Sequence, residues 1–393
     1  MARREKCIVC EGDFFPDHSF VLEGMPKGAQ QYDDSDKVDL EVVQCRYCGL
    51  TQITNEPVDY YKDVIRAAAF SEEMRDFRIQ QFSKFIQDNN LQGKKVLEAG
   101  CGGGEYLQLM KDCGADAYGI EHNDELVDAC ISQGLNVRKG YVDQGNVEIG
   151  GHPFDAFISM NFLEHYINPV GMLESMFANL SYGGVGLVEV PNFDMMIKTD
   201  HFSEFIGDHI SYFRKSNLTD VLNKAGFIVE DCSVVWNDYI ISAKVRKGEK
   251  VNLIEHTQFP PLDDNHECKV NFRPMRFKKD KVLSSLNQYV DKYGENNVAV
   301  YGAGHQALAV IAMSGIGDRL KYIVDDATFK QGRRAPASDV LIKHPSSLSS
   351  DPVQAIIVMG ASYSDEIIDK LKKSNYNNLD IAVLRQEGLK VYL

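Results

Sequence analysis

The rhythm of apolar and polar positions changes three times along the chain. Residues 1 to about 60 hold short apolar runs broken by turn-forming and polar stretches such as QYDDSDK, with no sustained period. From about residue 70, SEEMRDFRIQQFSKFIQDNN spaces its apolar side chains three and four apart, which predicts a helix with one buried face. Short apolar runs then alternate with helical stretches: KKVLEAG, ADAYGIEH, FDAFISMN and GGVGLVEVP. Such alternation predicts a doubly wound, mostly parallel sheet flanked by helices, that is, an α/β fold. After GFIVEDCSVVWNDYIISAKVRKGE, the polar, proline-bearing HTQFPPLDDNHE reads as a linker and RFKKDKVLSSLNQYVDKYG as a lead-in helix. A second alternation follows, through NVAVYGAG, a helix to about Met313, LKYIVDDA, QAIIVMGA and the helix SDEIIDKLKKS. The predicted organisation is a small domain over 1–65, an α/β domain over 66–250 and a smaller α/β domain over 275–393.

Composition narrows the class. At 393 residues and 44% hydrophobic content the chain can build more than one core. A formal net charge of -15 argues against a nucleic-acid partner and against docking on anionic membranes, so an anionic substrate has to meet a local basic pocket. No apolar stretch approaches the roughly twenty residues that cross a bilayer. The charged start, Met-Ala-Arg-Arg-Glu-Lys-Cys, has no apolar core behind it and does not read as a secretory signal, which leaves a cytoplasmic location as the expectation.

Four of the nine cysteines form two C-x-x-C pairs, Cys7 with Cys10 and Cys45 with Cys48. Each such pair sits on a tight turn, and two turns complete a tetrahedral zinc site. Four protein ligands leave no open position, so this zinc is expected to hold the fold and not to react.

The strongest chemical signal is VLEAGCGGGEYL, Val96 to Leu107, which reads E-x-G-x-G-x-G at Glu98, Gly100, Gly102 and Gly104. A strand entering a glycine-dense turn and then a helix lets backbone N–H groups approach a ligand, and Glu121, at the end of the next apolar run, suits a ribose diol. Asn161, Glu164 and His165 follow another apolar run, at the sheet edge where ligands of open α/β sheets bind. The glycine pattern resembles the first motif of class I S-adenosylmethionine-dependent methyltransferases, with Glu98, Gly100, Gly102, Gly104, Glu121 and Asn161 as the cofactor-binding set.

Three segments together resemble the sugar C-methyltransferase family, which acts on nucleotide-linked keto-deoxysugars: VVQCRYCGLTQI in the cysteine block; NFLEHYINP, VEVPNF and GDHISYFRKSNLTDVLNKAGF in the middle; and VAVYGAG with VDDATFKQGRRAP near the end. The resemblance implies a zinc-binding N-terminal domain, a class I methyltransferase domain and a C-terminal Rossmann-like domain. The family's Tyr-x-Glu-His stands here as Ile206-Gly207-Asp208-His209. Methylation at carbon beside a ketone needs a base and donors for the enolate, and the resemblance makes His209 the first choice of base. Asp208 or Glu204 would orient it, His165 is the rival base, and Tyr212 would donate to a sugar oxygen. Lys330, Arg333 and Arg334 are the expected partners of the acceptor's diphosphate, between the middle and terminal domains. The chief alternative is an O- or N-methyltransferase for another small acceptor. A second is a bifunctional protein whose Gly302-Ala303-Gly304-His305-Gln306-Ala307 turn and Asp325 bind NAD.

Overall fold

A computed structural model describes residues 3–29, 31–58, 71–142, 147–248, 261–263, 266–374 and 379–392. The expected boundary at 65/66, the end at 250 and most of the linker 256–267 lie outside these residues. By compactness the chain forms two units, the first from Met1–His18, Val43–Met195 and His209–Lys269, the second from Ser19–Val42, Met196–Asp208 and Val270–Leu393. The three sequence blocks are thus interleaved. Strands β1 (Phe14–Pro26) and β2 (Lys37–Cys45) begin or end in the first unit but give most of their length to the second. Among the described residues no helix is long and apolar enough to cross a membrane.

In the first unit a short strand, β3 (Thr51–Ile53), precedes helix α1 (Glu72–Asp88), which Ser71 caps by accepting a hydrogen bond from the Met74 N–H. Strands β4 (Lys95–Ala99), β5 (Asp116–Glu121), β6 (Asn136–Lys139), β7 (Phe154–Met160) and β8 (Leu180–Pro191) follow, with helices α2 (Glu105–Asp112), α3 (Asp124–Ser132) and α4 (Pro169–Asn179) between them. Strand β9 (Ser211–Tyr212), helix α6 (Lys215–Lys224) and strands β10 (Phe227–Val235) and β11 (Ile240–Lys247) complete it, while helix α5 (Phe193–Lys198) is divided between the units after Met195. The main sheet has the order β10-β11-β8-β7-β4-β5-β6. Strands β8 to β6 in that row are parallel, as the apolar runs predict, and the β10–β11 hairpin adds two antiparallel strands at one edge.

Among the described residues two apolar cores lie on this unit. One joins Leu97, Phe157 and Val188 of the strands to Leu173, Leu218 and Leu222 of the helices, and it also takes in Cys7, Cys45, Cys48 and Leu50. The cysteine block therefore packs as part of the sheet's own core. Lys224 ties it further, donating to the Val9 carbonyl at 2.6 Å. The other core packs Phe82 and Phe85 of α1 and Leu107 and Met110 of α2 with Val96, Ile158 and Leu187. On that side Arg78 of α1, 1% exposed, meets Glu189 of β8, 0% exposed, at 2.5 Å, and Gln81 donates to the same carboxylate.

The second unit has helices α7 (Arg273–Tyr293) and α8 (His305–Ser314) and strands β12 (Val298–Tyr301), β13 (Leu320–Val324), β14 (Ile342–Lys343), β15 (Ala355–Val358), β16 (Asp380–Arg385) and β17 (Gly388–Tyr392). Its sheet runs β14-β13-β12-β15-β16-β17, parallel except for the last pair. This is the second α/β domain expected from the sequence, closed by a hairpin.

Candidate active site

Strand β4 ends at Ala99 and the chain turns through Gly100, Gly102 and Gly104, all at positive φ (71°, 52° and 84°), before α2 begins. Only glycine holds such angles without strain. A side chain at Gly100 would overlap the Phe162 ring, and one at Gly104 would press on Leu135 and Cys130, so the bend is also tightly packed. Glu121, the last residue of β5 and 6% exposed, locks it: its carboxylate accepts from the N–H groups of Gly102 (2.9 Å), His122 (2.8 Å) and Asn123 (2.9 Å). Beside this bend a recess is lined by Gly100, Glu121, Tyr141, Phe162 and Tyr166. Tyr141 and Tyr166 stack there at 5.0 Å, and Phe162 meets Tyr166 edge-on at 5.2 Å.

Glu98 is buried on β4, behind the turn. Asn161 begins the loop after β7 with φ of 51°, and its N–H donates to the Glu189 carbonyl while its side-chain oxygen is buried without a hydrogen-bond partner. The loops after β4, β5 and β7 thus bring together a glycine bend, an acidic residue at a strand end and an unpaired amide oxygen. Every residue of the expected cofactor set belongs to the sheet or its turns in this unit.

The loop continues into a short 3-10 turn, Leu163–His165, where Glu164 is 1% and His165 6% exposed. The Ile210 N–H donates to the Glu164 carbonyl at 2.9 Å, and the Ile53 N–H donates to the Ile210 carbonyl, so the approach to β9 is held against β3 and the 3-10 turn. That brings half-buried His209 to His165, their rings edge-on at 4.7 Å. The ligand-type atoms of Glu164, His165 and His209 all lie within 4.8 Å of one another. Tyr212 is buried behind them, its ring 6.1 Å from that of His209. Complete burial pushes the Glu164 carboxyl up to about 8. Sequence reading placed Glu164 at the strand end but gave it no role beside His209; its adjacency to His165 was the available signal.

The carboxylates expected to orient His209 are engaged in the second unit. Asp208 accepts from the Ala29 N–H at 2.7 Å. Glu204 accepts from the Gln306 side chain and faces His305 Nε2 at 3.3 Å. Burial works against charge on the His305 ring, and Glu204 outweighs it, so the pKa is raised. The three expected phosphate partners lie on one segment between β13 and β14 and carry acidic neighbours. Lys330 lies 3.4 Å from Asp325, Arg333 3.1 Å from Asp33 and Arg334 3.0 Å from Asp339. Asp325 also accepts from the Ala303 N–H at 2.7 Å, closing the Gly302–Gly304 turn as Glu121 closes the turn in the first unit.

Among the four cysteines, the sulfurs of Cys7 and Cys48 are 3.5 Å apart and those of Cys10 and Cys45 3.4 Å, and all four lie within 4.8 Å. Sulfurs at about 2.3 Å from one tetrahedral zinc stand about 3.8 Å apart, so the donor set fits. The Tyr47 N–H, directed at Cys45 Sγ at 3.3 Å, supports thiolate charge.

Residues 70–231 match the methyltransferase-domain family, and residues 271–381 match the C-methyltransferase C-terminal domain family. The chain is an S-adenosylmethionine-dependent methyltransferase whose last part matches a C-methyltransferase C-terminal domain. C-methyltransferase NovU of Streptomyces niveus is 23% identical over 354 residues, covering 85% of this chain and 83% of that protein. Over 41% of this chain, the ubiquinone biosynthesis O-methyltransferase of Shewanella halifaxensis is 26% identical and covered to 75% of its length. Among solved structures, the PH0226 protein of Pyrococcus horikoshii is similar over 49% of this chain and 99% of its own, at 14% identity and a TM-score of 0.40. The second α/β unit carries the C-methyltransferase C-terminal domain.

Proposed function

We propose that the protein methylates a carbon next to the ketone of a nucleotide-linked keto sugar, through an enolate, in deoxysugar, polysaccharide or natural-product biosynthesis. The observation that carries this reading is the placing of the cofactor cradle and the Glu164–His165–His209 cluster on the carboxyl edge of one sheet, joined by a single loop from Asn161 to His165. When bound, S-adenosylmethionine supplies a methyl group on a sulfonium sulfur. Glu121 pairs with its ribose, Asn161 and the glycine bend hold the rest, and Glu98 supports the bend from below. A carbon acid must lose its proton before it can attack, which a hydroxyl or amine acceptor needs far less help to do. A buried cluster of two imidazoles and a carboxyl, its acid shifted toward neutrality, suits that task, with His209 and His165 at its centre and Tyr212 as a donor to a sugar oxygen. Asp208 shapes the same loop. Lys330, Arg333 and Arg334 bind the diphosphate of the acceptor, exchanging acidic neighbours for phosphate oxygens.

The test incubates the protein and labelled S-adenosylmethionine with a panel of nucleotide-linked 4-keto sugars and locates the methyl group by mass spectrometry and NMR. Methyl on the carbon beside the ketone is the expected result; methyl on oxygen refutes the reading. Deuterium exchange at that carbon without cofactor is expected in the wild type and lost in His209→Ala. Arg333→Ala with Arg334→Ala is expected to weaken nucleotide-sugar binding, and unaltered binding removes the diphosphate assignment.

A further inference from the structure

Base chemistry engages the imidazoles of the acceptor cluster and leaves the Glu164 side chain without a partner. It sits on the 3-10 turn after β7, 1% exposed, and one of its carboxyl oxygens is buried with no hydrogen bond. Among the described residues no lysine or arginine pairs with it. A carboxyl withdrawn from water with no cation beside it keeps its proton, because the anion would lose hydration that nothing replaces. Burial accordingly drives its pKa up, and only the residue's own N–H works the other way. Glu164 is thus an O–H donor for which the described residues supply no acceptor. The fold also fixes this donor next to the base. The Ile210 N–H donates to the Glu164 carbonyl at 2.9 Å, which ties the turn to the residue after His209. One side-chain nitrogen or oxygen from each of Glu164, His165 and His209 lies within 4.8 Å of the other two. The carboxyls closer to His209 in sequence are engaged elsewhere, Asp208 by the Ala29 N–H and Glu204 by Gln306.

We propose that Glu164, as a neutral acid, donates a hydrogen bond to the acceptor's carbonyl oxygen and holds the enolate while His209 takes the proton. The inference rests on the reading that a keto sugar reacts at this cluster, and it names the group that receives the developing charge. In a carbon acid the departing hydrogen and the carbonyl oxygen sit on adjacent carbons, so base and donor have to stand close together, as His209 and Glu164 do. As the C–H bond breaks, the proton goes to the unprotonated nitrogen of His209. The C–H electron pair becomes the C=C bond, and the carbonyl π pair moves onto the oxygen that faces the Glu164 O–H. When the carbon attacks the methyl group, the oxygen pair restores the C=O bond, the C=C pair forms the new C–C bond and the C–S pair leaves on sulfur. Glu164 keeps its proton throughout. A carboxyl held neutral by an apolar site suits this task, since an ionised one would repel the enolate.

Infrared difference spectra of the full-length, zinc-loaded protein, wild type minus Glu164→Gln, test the protonation at neutral pH without any acceptor. The expected difference is the C=O band of a protonated carboxyl; the paired bands of a carboxylate in its place overturn the proposal. Deuterium exchange at the carbon beside the ketone, over the panel of nucleotide-linked 4-keto sugars and without cofactor, tests the donation. Glu164→Leu is expected to slow exchange about 100- to 1,000-fold, and Glu164→Gln, whose amide still donates, by less than about tenfold. Wild-type affinity for S-adenosylhomocysteine in both variants shows that they fold. Glutamine as slow as leucine marks an ionised partner of the histidines, and leucine as fast as the wild type marks a bystander. Either result overturns the proposal and leaves the keto-sugar reading intact. Wild-type protein that exchanges no sugar of the panel instead removes that reading, and the proposal with it.

Discussion

At the scale of single residues, the cofactor cradle depends on groups that do two jobs. Glu121, proposed above as the ribose partner, also satisfies three backbone N–H groups of the turns around it. Glu121→Leu is therefore expected to leave those donors unpaired, at about 1–3 kcal/mol, and to lower both thermal stability and affinity for S-adenosylhomocysteine in calorimetry. Glu121→Gln, which keeps an acceptor, should lose less. Gly100→Ala combines a φ of 71° with overlap on the Phe162 ring, whereas Gly93→Ala has a φ of 67° but open space around it. Both should cost stability of about 1 kcal/mol from backbone strain, and only Gly100→Ala should abolish S-adenosylhomocysteine binding, because displacing Phe162 deforms the recess. The glycines and Glu121 were legible in the chain because their roles are local to one strand, one turn and the next strand. Phe162 carried no such signal: its contact with Gly100 joins residues far apart in sequence.

Between elements, two buried polar pairs make distinct claims. Arg78 on α1 and Glu189 on β8 are both withdrawn from water, and Arg78 lies over the Phe77 and Tyr106 rings. Removing either charge alone strands the other, so Arg78→Met is expected to destabilise by about 3–5 kcal/mol in denaturant unfolding, and the double variant Arg78→Met with Glu189→Met should recover most of the loss. The Glu204–His305 pair predicts a pH dependence. His305 has its pKa raised by the carboxylate against the opposing effect of burial. Its contribution is therefore fully present below about pH 6.5, the value of an unperturbed imidazole, and is lost as pH rises through the higher folded value. Thermal midpoints measured across that window should fall with rising pH in the wild type relative to His305→Gln. Glu204 faces His305, 101 positions along the chain, a contact with no local mark in the sequence.

For the whole molecule, the cysteine block is the most consequential finding. It reads as a separate N-terminal domain, yet Cys7, Cys45 and Cys48 share a core with strands β4, β7 and β8. Metal binding there is thus expected to stabilise the methyltransferase sheet itself. Cys45→Ser should lose one equivalent of zinc by metal analysis and unfold the first unit at markedly lower temperature, by several kcal/mol of metal-linked folding energy, with S-adenosylhomocysteine affinity falling in step. An independently folding cysteine domain would instead leave that affinity untouched.

Periodicity alone determined the order of the main α/β alternations, since a strand buried on both faces and a one-faced helix each leave a repeating mark over a few residues, but it passed over β6, β14, β16 and β17, which lie toward the edges of their sheets. Spacing alone identified the glycine bend, its acidic partner and the paired cysteines, because each of those motifs is closed within a short segment or a repeat of it. Which histidine meets which carboxylate was decided only when β3 and β9 paired and carried His209 to Glu164 and His165. So was the assignment of the cysteine block to the sheet's core, and the division of β1 and β2 between two units. Such choices turn on contacts between segments tens to hundreds of positions apart, and a local pattern of apolar and polar residues carries no record of them.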